Sequence, residues 1–263
     1  MIKLIASDLD GTLLYGRDNS VSEEMFELIR EMKDRGMIFA AASGRQYHNL
    51  KKLFAPVWED MAFICENGSA VFYQDQLVAE QVVPKEELLA LIDIIDAEEC
   101  TEVALSSATT TYVRPKSENF AQSLMDLGNH VCVVKEWTDV TEPCVKLAWF
   151  EAGGVDNRVE HWSKKIMPPA RVVTSGANWL DILYPNGHKG VGIQVLQEHF
   201  GLKKEEMVAF GDNYNDQEML EAVGFPVAMR NGKEGIMKLC PYHTDKVEDT
   251  VRRILDGKFP DQV

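Results

Sequence analysis

Cationic charge is scarce in this chain: 27 Lys and Arg stand against 42 Asp and Glu, a formal net charge of -15 over 263 residues. That balance disfavours a sequence-independent grip on nucleic acid, which is won by neutralising phosphates with Lys and Arg. The sequence also lacks any apolar run of membrane-spanning length. Its N-terminal apolar stretch is cut by Asp8 and Asp10, so it does not read as a signal peptide. The five cysteines (Cys65, Cys100, Cys132, Cys144 and Cys240) are scattered and include no C-x-x-C pair, which points away from a disulfide framework or a zinc site. No internal repeat or low-complexity segment stands out. The expectation is a cytoplasmic protein with buried thiols and neither nucleic acid nor membrane as partner. Any anionic ligand would need local positive charge or a metal ion to offset the background field.

What is present is ordinary globular composition, 45% hydrophobic and 26% charged, in a chain long enough for one large domain or two of common size. The informative stretch is the first one, Lys3-Leu4-Ile5-Ala6-Ser7-Asp8-Leu9-Asp10-Gly11-Thr12. An apolar run ends in two carboxylates one residue apart and a Gly-Thr turn, as a strand delivering acids to a site would. Asp-Gly can equally make a plain turn. An EF-hand loop fits only at Asp8 and Asp10, because its sixth and twelfth positions, Gly and Glu, are here Leu13 and Asn19.

Downstream, Ser20-Val21-Ser22-Glu23 offers a helix-capping box, followed by Met25, Phe26, Ile29 and Met32 at helical spacing and a stop at Gly36. Met37 to Ala42 is apolar throughout, as a doubly buried parallel strand should be, and runs into Ser43-Gly44-Arg45. A helix from Gln46, a strand near Ala62 to Cys65 and a hairpin from Val71 to Val83 follow. From Pro84 the style changes. A helix faced by Leu88, Leu89, Leu91, Ile92 and Ile95 leads into short paired strands, a helix marked by Phe120, Leu124 and Leu127, and another over Val155 to Met167. Pairs of strands between helices suggest an antiparallel sheet with helices on one face. After Pro185-Asn186-Gly187-His188, strict alternation returns: a helix from Lys189 with Val191, Val195, Leu196 and Phe200, a strand at Met207 to Phe210, and a strand at Val227 to Met229. The expected division is a core of 1–83 and 185–263 with an inserted α+β module at 84–184.

In a parallel α/β sheet, ligands bind beyond the carboxyl ends of the strands. Four edges deliver polar groups there: Asp8 and Asp10; Ser43; Lys189; and Asp212, Asn215 and Asp216. Singly, Ser43 can cap a helix, Lys189 can be a solvated charge and Asp216 can cap the next helix. Together, three acids, a hydroxyl and an ammonium are what a magnesium ion and a phosphate require.

These motifs resemble the haloacid dehalogenase-like superfamily, and within it the Cof-like phosphatases with a type IIB cap. Asp8-Leu9-Asp10-Gly11-Thr12, Ser43-Gly44-Arg45, Lys189-Gly190 and Gly211-Asp212 to Asn215-Asp216 match its four motifs in order, and Asn67-Gly68 and Val227-Ala228-Met229 are similar to family segments. After Met229 the family pattern of Gly-Asn-Ala is replaced by Arg230-Asn231-Gly232. The resemblance implies a Rossmann-like doubly wound parallel sheet core with an inserted cap that closes over the site. It also implies a phosphoric monoester hydrolase of small phosphorylated metabolites such as sugar phosphates or cofactor precursors. Asp8 would attack phosphorus and Asp10 would move protons. Magnesium would be held by Asp8, the Asp10 carbonyl and Asp212, and Ser43, Lys189 and Asn215 would hold the phosphate. Thr12, Gly44 and Asp216 would support the site, with Asp216 orienting Lys189 or a metal-bound water. Arg45, His48, Asn67, Trp179 and Asp181 are candidates for reading the rest of the substrate.

Two rival readings share the motifs. A sugar phosphomutase would need a bisphosphate activator, and a non-catalytic metabolite or magnesium sensor would be expected to have lost Asp8 or Asp10. Neither the physiological substrate nor the oligomeric state is legible in the sequence.

Overall fold

The computed structural model describes residues 1–14, 20–155 and 158–260. In chain order the elements are β1 (Leu4–Asp8), α1 (Glu23–Asp34), β2 (Ile38–Ala42), α2 (Tyr47–Leu53), β3 (Met61–Cys65), β4 (Ala70–Tyr73), β5 (Gln76–Glu80), α3 (Lys85–Asp96), β6 (Thr101–Ser107), β7 (Thr111–Val113), α4 (Phe120–Asp126), β8 (Val131–Val133), β9 (Cys144–Glu151), α5 (Arg158–Ser163), β10 (Arg171–Thr174) and β11 (Trp179–Leu183). They continue with α6 (Lys189–Phe200), β12 (Met207–Gly211), α7 (Gln217–Ala222), β13 (Phe225–Met229), α8 (Glu234–Leu239), β14 (Tyr242–Thr244) and α9 (Val247–Leu255). Two compact units result, one of residues 1–45, 50–79 and 188–263, the other of 46–49 and 80–187.

The first unit is built on an eight-stranded sheet in the order β14-β13-β12-β1-β2-β3-β4-β5. From β14 to β3 all neighbours are parallel, and β4 turns back antiparallel on β3. A two-residue turn with both Gln74 and Asp75 at positive φ leads on to β5, the geometry that suits the twist of a hairpin. Strand alternation sorts the faces. Leu4, Ala6, Ala40, Ala42, Ala62 and Ile64 pack against Ile193, Leu196, Met219, Leu220 and Ile236 of α6, α7 and α8. On the other face Phe39 and Phe63 meet Phe54, which also touches Phe26 of α1. Layers on both faces make this the doubly wound α/β sheet expected from the sequence. The strand order reverses between β1 and β12, so the acids at the ends of these two central strands are neighbours.

The second unit holds a six-stranded sheet in the order β10-β11-β9-β6-β7-β8. Two expectations change here. The sheet is not wholly antiparallel, because β7 and β8 run parallel. Its helices are not confined to one face: α3 and α5 cover the face of Val103, Leu105, Leu147 and Trp149, while Phe120 and Leu124 of α4 pack with Ala104 and Val113 on the other. Alternation along each strand leaves apolar residues on both sides, so both attract a helix.

Smaller departures have local causes. Ser22, not Ser20, caps α1: its hydroxyl accepts from the Met25 N–H at 3.1 Å and donates to Glu248 at 2.7 Å. The helix expected over Val155 to Met167 is shorter, Arg158–Ser163, with residues 156 and 157 outside the described set. Leu127 ends up exposed at the C-terminal cap of α4. Cys65, Cys144 and Cys240 are buried, as expected of thiols, but Cys100 and Cys132 are exposed, the latter on the edge strand β8. Helix α8 and strand β14 carry too few periodic apolar residues to be read in advance. No helix among the described residues is long and apolar enough to cross a membrane.

Candidate active site

Strands β1 and β12 lie side by side, with Ser7 opposite Phe210, so their carboxyl ends deliver Asp8 and Asp212 to one place. Both strands are buried along their whole length, which fixes the position of these ends. Helix α6 starts at the same edge, and its first residue, Lys189, is fully buried. The Lys189 ammonium bridges two carboxylates, donating to Asp8 and, at 2.6 Å, to Asp216. The second Asp216 oxygen accepts from the backbone N–H groups of Asp212 at 3.0 Å and Asn213 at 3.1 Å. Asp216 therefore holds Lys189 and ties down the preceding turn, while its side chain makes no capping bond to α7, the helix that follows.

Asp8, Asp212 and Asp216 bring carboxylate oxygens within 4.8 Å of one another. Burial, followed by the Asp216 charge, pushes the Asp8 carboxyl well above the usual carboxylate range, and burial also raises that of Asp212. Burial works against the Lys189 ammonium, but Asp216 and Asp8 outweigh it and hold the group charged. One ammonium against three acids leaves an excess of negative charge in a desolvated place. An all-oxygen donor set with that charge fits a hard divalent cation. Asp8 and Asp212 are the side chains suited to hold it, since both oxygens of Asp216 are engaged elsewhere.

Thr12 donates to Asp212 at 2.9 Å, orienting that carboxylate. Gly11 has φ +94°, and a Cβ there would lie 2.6 Å from an Asp212 oxygen, so only glycine allows the turn after Asp10 to pass so close. The segment that departs from the family pattern also reaches this turn. The Asn231 amide donates to the Gly11 carbonyl at 3.0 Å, and the Lys233 N–H donates to the Asp212 carbonyl at 2.8 Å. Asn231 is a site contact the sequence gave no periodic or charge signal for.

A family model of haloacid dehalogenase-like hydrolases matches residues 5–252, which span all of these groups. The chain belongs to the haloacid dehalogenase-like hydrolases. Among the relatives of this hydrolase are two named 5-amino-6-(5-phospho-D-ribitylamino)uracil phosphatase. One is YbjI of Escherichia coli (strain K12), 26% identical with 98% of each chain covered. The other is YitU of Bacillus subtilis (strain 168), 27% identical with 97% of each covered. The solved HAD subclass IIB sugar phosphatase BT4131 shares the fold, with a TM-score of 0.77 at 21% identity over 96% of this chain and 98% of that one. The enzyme class expected from the sequence, a phosphoric monoester hydrolase, agrees with these relatives.

The remaining candidates of the hydrolase divide by place. Ser43 is buried after β2, and its hydroxyl accepts from the Arg45 N–H at 3.2 Å. Gly44 lets the Asn67 side chain come close, a Cβ there lying 3.1 Å from the Asn67 Oδ1. Asn67 is itself buried, in a left-handed conformation with φ 57°, and its N–H donates to the Ser43 carbonyl at 2.9 Å. Arg45 grips Asp10 with both arms of its guanidinium, Nε to one oxygen at 3.2 Å and Nη2 to the other at 2.6 Å. Asp10 stays 58% exposed within that grip. Asn215 is exposed on the turn Tyr214–Asp216 and takes no part in the Lys189 contacts. In the second unit His48 lies edge-on to His130 with ring centroids 5.6 Å apart, Trp179 packs with Phe120 and Phe150, and Asp181 pairs with Lys146.

Proposed function

We propose that this hydrolase is a magnesium-dependent phosphatase of small phosphorylated metabolites, sugar phosphates or cofactor precursors, acting through an aspartyl-phosphate. The observation that carries the reading is the buried Asp8–Lys189–Asp216 bridge beside Asp212, which pairs a nucleophile with a cation at a sheet edge. The names of the two ribitylaminouracil phosphatases support a monophosphate substrate with a polyol portion.

An Asp8 oxygen forms a bond to phosphorus as the bond from phosphorus to the substrate oxygen breaks, and Asp10 supplies the proton the leaving alcohol needs. Water then attacks the aspartyl-phosphate, Asp10 takes its proton, and phosphate leaves with Asp8 restored. Lys189 and Ser43 bind phosphoryl oxygens, the ammonium matching charge that spreads over them in the transition state. Asn215 approaches the phosphate from the turn after Asp212, and Asp216 holds Lys189 in place. A magnesium ion held by Asp8, the Asp10 carbonyl and Asp212 would offset the repulsion between an anionic nucleophile and an anionic substrate. Because Arg45 occupies both Asp10 oxygens, proton transfer requires that grip to loosen when substrate enters. The second unit serves as the type IIB cap, reading the part of the substrate beyond the phosphate. The five cysteines are all unpaired thiols, which agrees with a cytoplasmic setting.

The test is turnover of p-nitrophenyl phosphate by purified protein with magnesium and no bisphosphate. Asp8→Asn is expected to lower the rate by about 10³-fold or more with an unchanged circular dichroism spectrum, and a chelator is expected to stop the wild-type reaction. Full activity in either case would sink the reading, and strict dependence on an added bisphosphate would favour a phosphomutase.

A further inference from the structure

A closed ring of hydrogen bonds ties together the loops that follow β1, β12 and β13. The Asn231 amide donates to the Gly11 carbonyl at 3.0 Å, the Lys233 N–H to the Asp212 carbonyl at 2.8 Å, and the Thr12 hydroxyl to the Asp212 carboxylate at 2.9 Å. Gly11 adjoins Thr12, and Gly232 stands between Asn231 and Lys233, so the chain itself completes the ring. Gly232 lets it close tightly, since a Cβ there would lie 2.9 Å from the carbonyl oxygens of both Asp212 and Met229. The third loop has a firm base, because the Arg230 N–H donates to the Thr244 carbonyl at 2.9 Å.

The turn after β1 is fastened from within as well. The N–H groups of Thr12, Leu13 and Leu14 all donate to the Leu9 carbonyl. Gly11 is the soft joint in that turn, a glycine at φ +94° with the widest backbone freedom of any residue. Rotation there would swing the Asp10–Gly11 peptide against Thr12, and with it the Asp10 carbonyl against the Asp212 carboxylate that Thr12 holds. These are two of the three oxygen groups assigned above to the metal. The Asn231 amide opposes this rotation, fixing the Gly11 carbonyl to a loop that also grips Asp212. Fold stability does not explain that bond, since Asn231 is exposed and a neutral hydrogen bond in contact with water adds little to folding.

Rigidity discriminates between hard cations. Magnesium demands near-ideal octahedral oxygens at about 2.0–2.1 Å, whereas calcium accepts looser sets at about 2.3–2.6 Å. We propose that Asn231 is a positioning residue whose bond to Gly11 makes the oxygen set of Asp8, Asp10 and Asp212 rigid enough to favour magnesium over calcium. The proposal rests on the magnesium-dependent phosphatase reading and deepens it.

The experiment is calorimetric titration of the metal-free full chain with magnesium chloride and, separately, with calcium chloride. Asn231→Ala is expected to weaken magnesium binding by about tenfold, the scale on which partners of metal-holding groups act. Calcium binding should weaken by less than about threefold, because calcium tolerates the loosened set. The melting temperature in EDTA should stay within about 2 °C of wild type, as for other exposed side chains. Asn231→Leu, which keeps the shape without the donor, carries the same test if the alanine variant melts early. Equal weakening of both ions in a folded variant, or unchanged affinities, would overturn the proposal even where turnover of p-nitrophenyl phosphate upholds the phosphatase reading. A wild type that binds neither ion would refute the proposal together with the magnesium part of that reading. Should magnesium bind without any turnover, the phosphatase reading alone fails, and the shift in the ratio of the two affinities still decides the role of Asn231.

Discussion

Lys189 shows most clearly how one residue type changes meaning with its surroundings. At the mouth of a helix a lysine is ordinarily a solvated charge, yet here its side chain is wholly buried between Asp8 and Asp216. A buried ion pair adds little when intact, but removing one partner leaves an uncompensated charge and costs about 3–5 kcal/mol. Lys189→Met should therefore lose stability on that scale in urea denaturation, together with p-nitrophenyl phosphate turnover. A variant as stable as the wild type would show that the two acids are neutral in the native state. The residue types at the site were readable from the four motifs, but their pairing was not. Arg45 holding Asp10 and Asp216 serving both the turn and Lys189 depend on distances between segments far apart in sequence.

Among the elements, α6 buries more than its apolar pattern marks. Of Val191, Val195, Leu196 and Phe200, Leu196 is buried and Val195 and Phe200 pack partly buried against the core, and Lys189, Gly190, Gly192 and Ile193 are buried as well. The glycines permit close approach: a Cβ on Gly190 would lie 2.6 Å from the Glu218 carbonyl oxygen, and one on Gly192 would run into Ile64. Alanine improves an exposed helix position by about 1 kcal/mol over glycine. At Gly190 and Gly192 the same change should instead destabilise by about 1–3 kcal/mol through overpacking, and lower kcat as Lys189 moves. Thermal melts and turnover of Gly190→Ala and Gly192→Ala check this.

Between α3 and α5, Glu98 accepts from Lys165 at 2.5 Å, Arg158 at 2.6 Å and His161 at 2.7 Å. Burial alone would raise its carboxyl, but the three donors outweigh it and hold the group down at about 2, against 4.5 for an ordinary Glu. A lowered native value means the unfolded chain takes up the proton first as pH falls. The stabilisation is thus complete above about pH 4.5 and lost as pH falls through about 2. Melting temperatures of wild type and Glu98→Gln should converge over that window, and a constant difference would contradict the assignment.

For the molecule as a whole, the dominant long-range feature is the charge of -15. A dianionic phosphate ester approaching such a surface is repelled, and salt screens that repulsion over a Debye length of about 8 Å at physiological ionic strength. KM for p-nitrophenyl phosphate is expected to fall as salt is raised from about 10 mM to about 150 mM at fixed magnesium. A rise would mean that local cations, with Lys189 and Arg45 foremost, dominate the approach.

The sequence by itself determined the α/β core, the order of its motifs and the residue types offered at the strand ends, because apolar runs, turn residues and carboxylate spacing are local properties. It did not determine that α4 packs opposite α3 and α5, that Cys132 points outward, or that Asn231 reaches the Asp10-Gly11 turn. Nor did it reveal the partnership of Lys146 with Asp181, which lie on strands joined only through sheet register. These were decided by tertiary structure, since burial and hydrogen bonding between distant segments follow from which faces the sheets bring together.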